Sequence, residues 1–356
     1  MSSNKFSNKV VIVTGSSSGI GQGIALLLAQ QGANLTIHGL DLEEVQEAQK
    51  QMIKNGISAD RILAVSGDLC DPKIAEKLIV ETVAKWGTLD VLVNNAGTLL
   101  KPGVDVDSEE NFDFTFDLNV KAVARLNKLA LPHLEKTKGN IVNTSSITGG
   151  HRIHNIPSFY AMSKAALDHY MRYEAPKLAA KGIRINNLAP GFVVTNLSMR
   201  ISATKEEFNE FAKEVCEKEI PLGCVQRPLD MAYAVSYLAS AEASYVTGTI
   251  LIHIANNMIL TTSSSTVERS TKQPEPGCFR ATTVITATVV VRVTRKQLGQ
   301  SHKWLIERHL SRSWDNKKGQ KKEEAQSEVV GRHFDLRKLK KSAFILVSVK
   351  RVLLMP

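Results

Sequence analysis

A glycine-rich turn joins an apolar run to a helical pattern near the start of the chain. Residues 10–14 are β-branched, which is typical of a buried parallel strand, and residues 20–31 are rich in Ala, Leu and Gln. Gly15 permits a tight turn, Gly19 lets the backbone approach a pyrophosphate, and Gly21 allows close packing of helix on strand. The order of strand, glycine turn and helix predicts a dinucleotide site at the N-terminus of this helix.

Strand and helix patterns alternate along the chain as far as about residue 254. We expect strands near residues 10–14, 34–38, 61–65, 90–93, 140–144, 183–188 and 249–254. We expect helices near residues 20–31, 42–55, 72–86, 111–135, 157–181 and 229–239. This alternation predicts an α/β fold, a Rossmann-type doubly wound parallel sheet in a single domain, with its ligand at the carboxyl ends of the strands. Residues 198–220 are expected to form a helix that either covers the substrate or simply packs on the domain.

Tyr160 and Lys164 lie four residues apart in a helical pattern, so both side chains are expected on one face of the helix. A free phenol has a pKa of about 10 and exchanges protons poorly at neutral pH. A fixed ammonium charge nearby lowers the pKa of a phenol toward the working range. The pair therefore predicts a tuned acid/base, although the same spacing also occurs by chance on ordinary helices.

Further motifs appear in the order in which one enzyme family carries them. They are the glycine turn, Asp68, the turn from Asn94 to Gly97, Asn119, Ser146, the Tyr160/Lys164 pair, and Pro190 and Gly191 with Thr195. With these motifs the chain resembles the short-chain dehydrogenase/reductase family between about residues 7 and 248, and its C-terminal part does not. The resemblance implies an oxidoreductase that acts on CH–OH donors, with NAD or NADP as acceptor, and interconverts an alcohol and a carbonyl.

The resemblance also implies a catalytic set of Asn119, Ser146, Tyr160 and Lys164. Ser146 would hold the substrate oxygen as charge develops on it, and the family pattern favours it over the adjacent Ser145. Tyr160 would exchange the proton, while Lys164 would tune Tyr160 and bind the ribose. Asn119 would distort its helix and hold a water molecule that links Lys164 to solvent.

The predicted cofactor-binding residues extend over the whole family-like region. They are Gly15, Ser17, Gly19, Ile20, Gly21, Asp41, Asp68, Asn95, Ala96, Gly97, Tyr160, Lys164, Pro190, Gly191 and Thr195. Ala96 and Gly97 are small and leave space for the adenosine half, and Thr195 would meet the nicotinamide carboxamide. Asp68 either accepts a hydrogen bond from the adenine amino group or caps a helix.

The choice between NAD and NADP depends on the residues after the second strand. An acid there binds the ribose 2′-OH, whereas an Arg accommodates a 2′-phosphate. Gly39 and Leu40 stand at these two positions, and residues 16–18 contain no Lys or Arg. The sequence therefore favours NAD slightly over NADP. Asp41 stands two residues late, and it either reads the ribose or forms the N-cap of the next helix.

The chain changes character after about residue 248. From Ile250 onward it has 20 Lys or Arg and 8 Asp or Glu, a net charge of +12, whereas residues 1–249 have 25 and 27, a net charge of −2. We expect residues 1–260 to form the NAD(P)-binding catalytic domain and residues 261–356 a basic extension. The extension is expected to be disordered or adventitious, although residues 282–293 suggest a strand and residues 302–310 a short helix. A functional arm that contacts nucleic acid or a membrane is the second interpretation.

Four scattered cysteines without a C-x-x-C pair predict neither a zinc site nor a disulfide framework, so no metal is expected. A polar N-terminus and the lack of a long apolar segment predict a cytoplasmic protein. Members of the family associate through long helices, which implies a homodimer through the helix at residues 157–181. A cofactor-binding scaffold without activity remains an alternative to the enzyme, and the substrate class beyond a small alcohol or carbonyl compound stays open.

Overall fold

The computed structural model describes residues 4–153, 156–195, 205–220, 225–253, 283–294 and 342–353 of the 356 residues. The chain divides into two compact units, Met1–Thr266 and Val267–Pro356. The first unit contains the predicted catalytic domain.

Seven parallel strands form the central sheet of the first unit. They are β1 (Val10–Val13), β2 (Asn34–Gly39), β3 (Ile62–Ser66), β4 (Val91–Asn94), β5 (Asn140–Thr144), β6 (Arg184–Pro190) and β7 (Ile250–His253). Their spatial order is β3-β2-β1-β4-β5-β6-β7, with β1 paired to both β2 and β4. The strand order reverses between β1 and β4, and in such sheets ligands bind at this reversal, beyond the carboxyl ends of the strands.

Eight described helices accompany the sheet. They are α1 (Gly19–Gln30), α2 (Leu42–Lys54), α3 (Pro72–Trp86), α4 (Glu109–Phe116), α5 (Ala122–Thr137), α6 (Ser158–Ala179), α7 (Lys205–Glu219) and α8 (Pro228–Ala239). Apolar side chains of α1, α2 and α8 form one core with the sheet, and those of α3, α5 and α6 form the other. The doubly wound α/β fold expected from the sequence is therefore confirmed. In the part of the chain described, no helix is both long and apolar enough to cross a membrane.

The element bounds agree closely with the sequence pattern, with one informative difference. Helix α3 and strand β5 have the predicted bounds. The helix expected at residues 111–135 is instead α4 and α5 joined by a π-helical turn, Asp117–Lys121. Periodicity at 3.6 residues cannot reveal a single wide turn inside a continuous helical pattern. In the region expected to cover the substrate, α7 buries Phe208, whose ring lies 6.0 Å from that of Phe192.

The second unit contains two described strands, β8 (Thr283–Thr294) and β9 (Ser342–Leu353), which pair antiparallel along their full length. Strand β8 agrees with the strand suggested at residues 282–293. The short helix suggested at residues 302–310 lies outside the described residues. Most of residues 261–356 lies outside them as well, so the expected disorder of the extension stays a prediction.

Candidate active site

The predicted glycine turn lies between β1 and α1, at the reversal of strand order. Gly15 and Gly19 have φ values of 60° and 57°, a region that glycine adopts without strain. A Cβ atom on Gly15 would lie 2.8 Å from the Cα of Ala96, and one on Gly21 would lie 2.1 Å from the carbonyl oxygen of Gly15. All three glycines are therefore required by geometry, Gly21 most strongly.

The N-terminus of α1 differs from those of the next three helices. Ser18 stands at its N-cap without a side-chain hydrogen bond, and no acid lies in its first turn. Side chains cap the other three helices, namely Asp41 for α2, Asp71 for α3 and Ser108 for α4. Helix α1 therefore presents its first N–H groups and partial positive charge without a carboxylate in its own first turn. This arrangement fits the pyrophosphate of a dinucleotide.

The turn after β4 holds the glycine turn in place. The hydroxyl oxygen of Thr14 accepts hydrogen bonds from the backbone N–H groups of Asn95 at 2.9 Å and Ala96 at 3.0 Å. In return, Asn95 Nδ2 donates to the carbonyl oxygens of Thr14 and Gly15, both at 3.0 Å. The side chain of Asn95, which we predicted to bind the cofactor, thus contacts the turn that would bind it.

His38 is a part of this region that the sequence analysis missed. Its Nε2 donates to the carbonyl oxygen of Gly67 at 3.0 Å, and its Nδ1 accepts from the N–H of Gly15 at 3.3 Å. Burial lowers the pKa of the imidazole to about 4, although the Gly67 contact and nearby Asp68 oppose the shift. A neutral His38 therefore connects the glycine turn to the loop that follows β3.

The two predicted acids have different positions. Asp41 caps α2, with its carboxylate accepting a hydrogen bond from the N–H of Glu44 at 3.0 Å. Asp68 is exposed and accepts from the N–H of Cys70 at 2.8 Å, while Asp71 is the residue that caps α3. Of the two roles that the sequence allowed for Asp41, the structure shows helix capping. Asp68 does not cap α3.

Ser17 faces α2 across a shallow groove beside the glycine turn. Its hydroxyl donates to the carboxylate of Glu44 at 3.4 Å. The side chains of Glu43 and Glu47 also line the groove, with Lys50 as its one cation among the described residues. The charge of this groove is consequently negative.

Ser146, Tyr160 and Lys164 meet at the carboxyl end of β5. A hydrogen bond from Ser146 lowers the pKa of the Tyr160 hydroxyl, but its burial has the larger effect and raises it. The Lys164 ammonium lies 5.6 Å from the centre of the Tyr160 ring. Its Nζ donates to the carbonyl oxygen of Thr144 at 2.8 Å. The side chain of Ser145 instead turns to the carbonyl oxygen of Lys164, at 3.4 Å, which agrees with the preference for Ser146.

The expected lowering of the Tyr160 pKa is not what the structure shows. Burial of the hydroxyl dominates, and the Lys164 ammonium is itself buried, so its pKa is lowered to about 8 by loss of hydration. Asp168 opposes this shift of the Lys164 pKa. Lys164 nevertheless stays protonated at neutral pH.

Asn119 lies in the π-helical turn, which confirms the predicted distortion of its helix. Its side-chain amide exchanges two hydrogen bonds with the backbone of Thr98, both at 2.9 Å, and donates to the hydroxyl of Ser163 at 3.0 Å. A Cβ atom on Gly97 would lie 3.0 Å from Asn119 Oδ1 and 3.5 Å from Lys164 Nζ. The lack of a side chain at Gly97 thus brings its loop against two members of the predicted catalytic set, Asn119 and Lys164.

The segment after β6 passes over the glycine turn. Pro190 ends β6, and the N–H of Gly191 donates to the carbonyl oxygen of His253 at 3.1 Å. Thr195 lies near Gly19, since a Cβ atom on that glycine would be 3.4 Å from the threonine side chain. Gln226, which the sequence analysis did not identify, donates to the carbonyl oxygen of His253 at 2.9 Å. Ile20, the remaining predicted residue, packs against the apolar core.

This fold, with a glycine turn before an uncapped helix, defines the class of Rossmann-fold NAD(P)-binding oxidoreductases. Comparison with known proteins agrees. A family model described as enoyl-(acyl carrier protein) reductase matches residues 15–253. The chain belongs to the short-chain dehydrogenase/reductase family.

Similar proteins cover the first unit and leave most of the extension unmatched. The oxidoreductase UcpA of Salmonella typhimurium is 36% identical over 248 residues, which are 69% of this chain and 92% of the relative. A Caenorhabditis elegans short-chain dehydrogenase/reductase of unknown function, solved with cofactor, is 34% identical with a TM-score of 0.69, covering 73% of this chain and 98% of that one. L-sorbose reductase from Gluconobacter frateurii, solved with NADPH and L-sorbose, is 26% identical with a TM-score of 0.66, covering 73% of this chain and all of the other.

Proposed function

We propose that this oxidoreductase interconverts an alcohol and a carbonyl compound, with NAD(P) as the hydride acceptor or donor. The observation that carries the proposal is the meeting of three side chains at the carboxyl end of β5. Ser146 is close enough to the Tyr160 hydroxyl to lower its pKa, and the Lys164 ammonium lies 5.6 Å from the centre of the Tyr160 ring. Proton donor, oxygen-binding group and cation stand together at the carboxyl end of β5. This edge of the sheet is where the fold binds its ligand.

A bound nicotinamide nucleotide would supply or accept the hydride at the substrate carbon. Tyr160 exchanges the proton with the substrate oxygen, and the Ser146 hydroxyl donates a hydrogen bond to that oxygen as its charge changes. Because burial raises the pKa of Tyr160, its deprotonated form needs a compensating charge. Lys164 provides that charge, and Asn119 positions the loop at Gly97 beside it.

The cofactor lies, in this proposal, over the glycine turn. The N–H groups at the start of α1 bind the pyrophosphate. Asp68 and the turn at Ala96 and Gly97 hold the adenosine half. The loop at Pro190, Gly191 and Thr195 closes over the nicotinamide end, and Lys164 also contacts the ribose. The short approach between Gly19 and Thr195 supports this path.

We further propose a modest preference for NAD. The groove at Ser17 carries the carboxylate of Glu44, and a 2′-phosphate placed there would meet its negative charge. Leu40 is 72% exposed at the position where an Arg would accommodate that phosphate. Because Asp41 caps α2, we assign the acidic side chain beside the ribose to Glu44.

A homodimer through α6 is the proposed assembly. Helix α6 exposes the large apolar side chains of Met162 and Tyr173, whose spacing places them on the same side of the helix. Association with a second copy along this side of α6 would remove both side chains from water. We propose residues 1–260 as the catalytic domain, which agrees with a family match and a sheet that both end at residue 253.

A substrate screen tests the proposed reaction. Purified protein is mixed with panels of steroids, retinoids, sugars, acyl ketones and aliphatic alcohols, each with NAD(H) and NADP(H), and nicotinamide absorbance is followed. Reversible turnover of at least one alcohol and carbonyl pair is expected. Cofactor binding without turnover across all panels would favour the scaffold interpretation instead.

A further inference from the structure

A carboxylate that has no place in the proposed reaction is buried one helical turn beyond Lys164. Asp168 is only 5% exposed, and its Oδ1 accepts a hydrogen bond from Asn187 Nδ2 at 2.8 Å. Its Oδ2 lies against Gly149, where a Cβ atom would come within 2.8 Å. Burying an ionised carboxylate is costly unless an opposite charge or hydrogen bonds compensate it. The position of Asp168 thus requires a partner.

A chain of side-chain amides leads to this carboxylate across the middle of the sheet. Asn94 on β4 donates to Asn143 on β5 at 2.9 Å, Asn143 donates to Asn187 on β6 at 2.8 Å, and Asn187 donates to Asp168. All three asparagines are almost fully buried. Because each amide donates in the same direction, their dipoles point their positive ends toward Asp168. This direction stabilises a negative charge on the carboxylate.

The matching buried cation is Lys164, which is 4% exposed. Residues four apart on a helix share a face, so Asp168 lies on the side of α6 that carries Lys164. The other groups against the ammonium are the Thr144 carbonyl oxygen, Gly97 and the Tyr160 ring. None of these is charged at neutral pH. Asp168 makes no direct ion pair with Lys164 among the described contacts, and its negative charge acts on the buried ammonium from one helical turn away.

We propose that Asp168 is a positioning residue that keeps the Lys164 ammonium protonated where the Thr144 carbonyl oxygen holds it. The amide chain from β4, β5 and β6 holds the Asp168 carboxylate. This carboxylate supplies the negative charge that is missing among the groups in direct contact with the Lys164 ammonium. The shared helix face and the burial of both side chains carry the proposal, and the importance of Asp168 for turnover rests on the proposed function. The direction of the electrostatic effect agrees, because Asp168 raises the pKa of Lys164 against the lowering by burial.

The pH at which Lys164 loses its proton tests the proposal directly. Lysine side chains labelled with ¹³C and ¹⁵N are titrated by NMR, and the Lys164 signal is assigned by its loss in Lys164→Arg. The native signal should change near pH 8. In Asp168→Asn, where the new amide oxygen can still accept from Asn187, the midpoint should fall by at least about one pH unit. Glu174→Gln, which removes an acid elsewhere on α6, should leave it unchanged.

An unchanged Lys164 midpoint in Asp168→Asn would overturn the proposal. Should that variant not fold, the native protein decides, because the carboxyl carbon signal of Asp168 should shift at the same pH as Lys164. A carboxyl signal that stays flat through the lysine titration would equally overturn it. Neither titration needs a substrate, so both remain decisive even if the proposed reaction fails.

The kinetic consequence separates positioning from a structural role. With a substrate from the screen, the alkaline limb of the kcat profile of Asp168→Asn should move to lower pH together with the Lys164 midpoint. A residue that only supports the fold would lower kcat at every pH and leave the position of the limb unchanged. That second pattern contradicts the assignment.

Discussion

The side-chain amide of Asn95 donates a hydrogen bond to the carbonyl oxygen of Gly15 at 3.0 Å. A Cβ atom on Gly21 would come within 2.5 Å of the same amide nitrogen. The turn proposed to bind the dinucleotide phosphates and the turn proposed to border the adenosine half are therefore joined through one carboxamide. The carboxamide of Asn95 also lies against Gly21, where there is no space for a larger side chain.

Gly21→Ala should weaken cofactor binding. The added methyl group would lie 2.1 Å from the Gly15 carbonyl oxygen, so the turn must move and the Asn95 contact must break. Overpacking of this kind costs about 1–3 kcal/mol. If this cost falls on the binding conformation of the turn, Kd rises by roughly 5- to 150-fold. Binding is measured by tryptophan fluorescence, with Gly150→Ala as control because a Cβ atom there meets nothing within 4 Å. Equal Kd values for the two variants would contradict the assigned role of the turn.

His38 should make stability dependent on pH on the acid side. Its pKa of about 4 in the folded protein lies below the ordinary value of 6.5, so the folded state binds fewer protons between these values. The stabilisation is present above about pH 6.5 and is lost as pH falls toward about pH 4, by up to about 3 kcal/mol.

His38→Gln keeps a donor and an acceptor but does not titrate, so this part of the pH dependence should disappear. Urea unfolding at several pH values measures the effect. His169→Gln, which replaces an exposed histidine on α6, serves as control and should retain the native pH dependence. If the stability of His38→Gln fell at acid pH as steeply as that of the native protein, groups other than His38 would cause the loss.

Local sequence signals were enough to predict the sheet and the helix that carries Tyr160 and Lys164. The bounds of β5 and α3 and the shared face of Tyr160 and Lys164 follow from periodicity, since each depends on neighbours along the chain. The glycine turn could be predicted in the same way, because its backbone geometry excludes residues with a side chain. Family membership was predicted from these motifs and is confirmed by the comparisons.

Contacts between distant segments could not be read in the same way. His38 occupies an ordinary strand position, and only the approach of Gly15 and Gly67 in space makes it part of the site. Asp168 is one of two acids in the helical pattern of α6, and its burial depends on packing against β6. Asp41 shows a third case, because ribose recognition and helix capping demand the same residue type at the same place.

Asp41→Asn and Glu44→Gln form a matched pair that tests cofactor preference. Asparagine caps helices about as well as aspartate, so Asp41→Asn should change neither thermal stability nor the ratio of NADP to NAD affinity. Glu44→Gln removes the charge beside Ser17 and should raise relative NADP affinity by a few-fold, as expected for an exposed charge. Titration of both cofactors measures the ratio. If the ratio of NADP to NAD affinity changed in Asp41→Asn and not in Glu44→Gln, Asp41 would be the residue that recognises the ribose.

A chain that ends after residue 260 should fold and bind cofactor like the full chain. The last strand of the sheet, β7, ends at His253, and the helix proposed for dimerisation precedes it. Limited trypsin digestion should trim the full chain to a core of similar length, and sizing chromatography should report a dimer for both. Unfolding of the shortened chain, or an extension that resists digestion, would show that residues 261–356 belong to the catalytic domain.

The ratio of kcat in Tyr160→Phe to kcat in the native protein, on a substrate identified by the screen, tests the central claim most directly. The substitution removes one hydroxyl, and with it the proton path and the contact to Ser146. General acid–base catalysis contributes about 10²- to 10⁴-fold, so kcat should fall at least about a hundredfold while cofactor Kd stays within about twofold. Tyr245→Phe, at a fully exposed tyrosine, should behave as native. A Tyr160→Phe variant with near-native kcat would contradict the account.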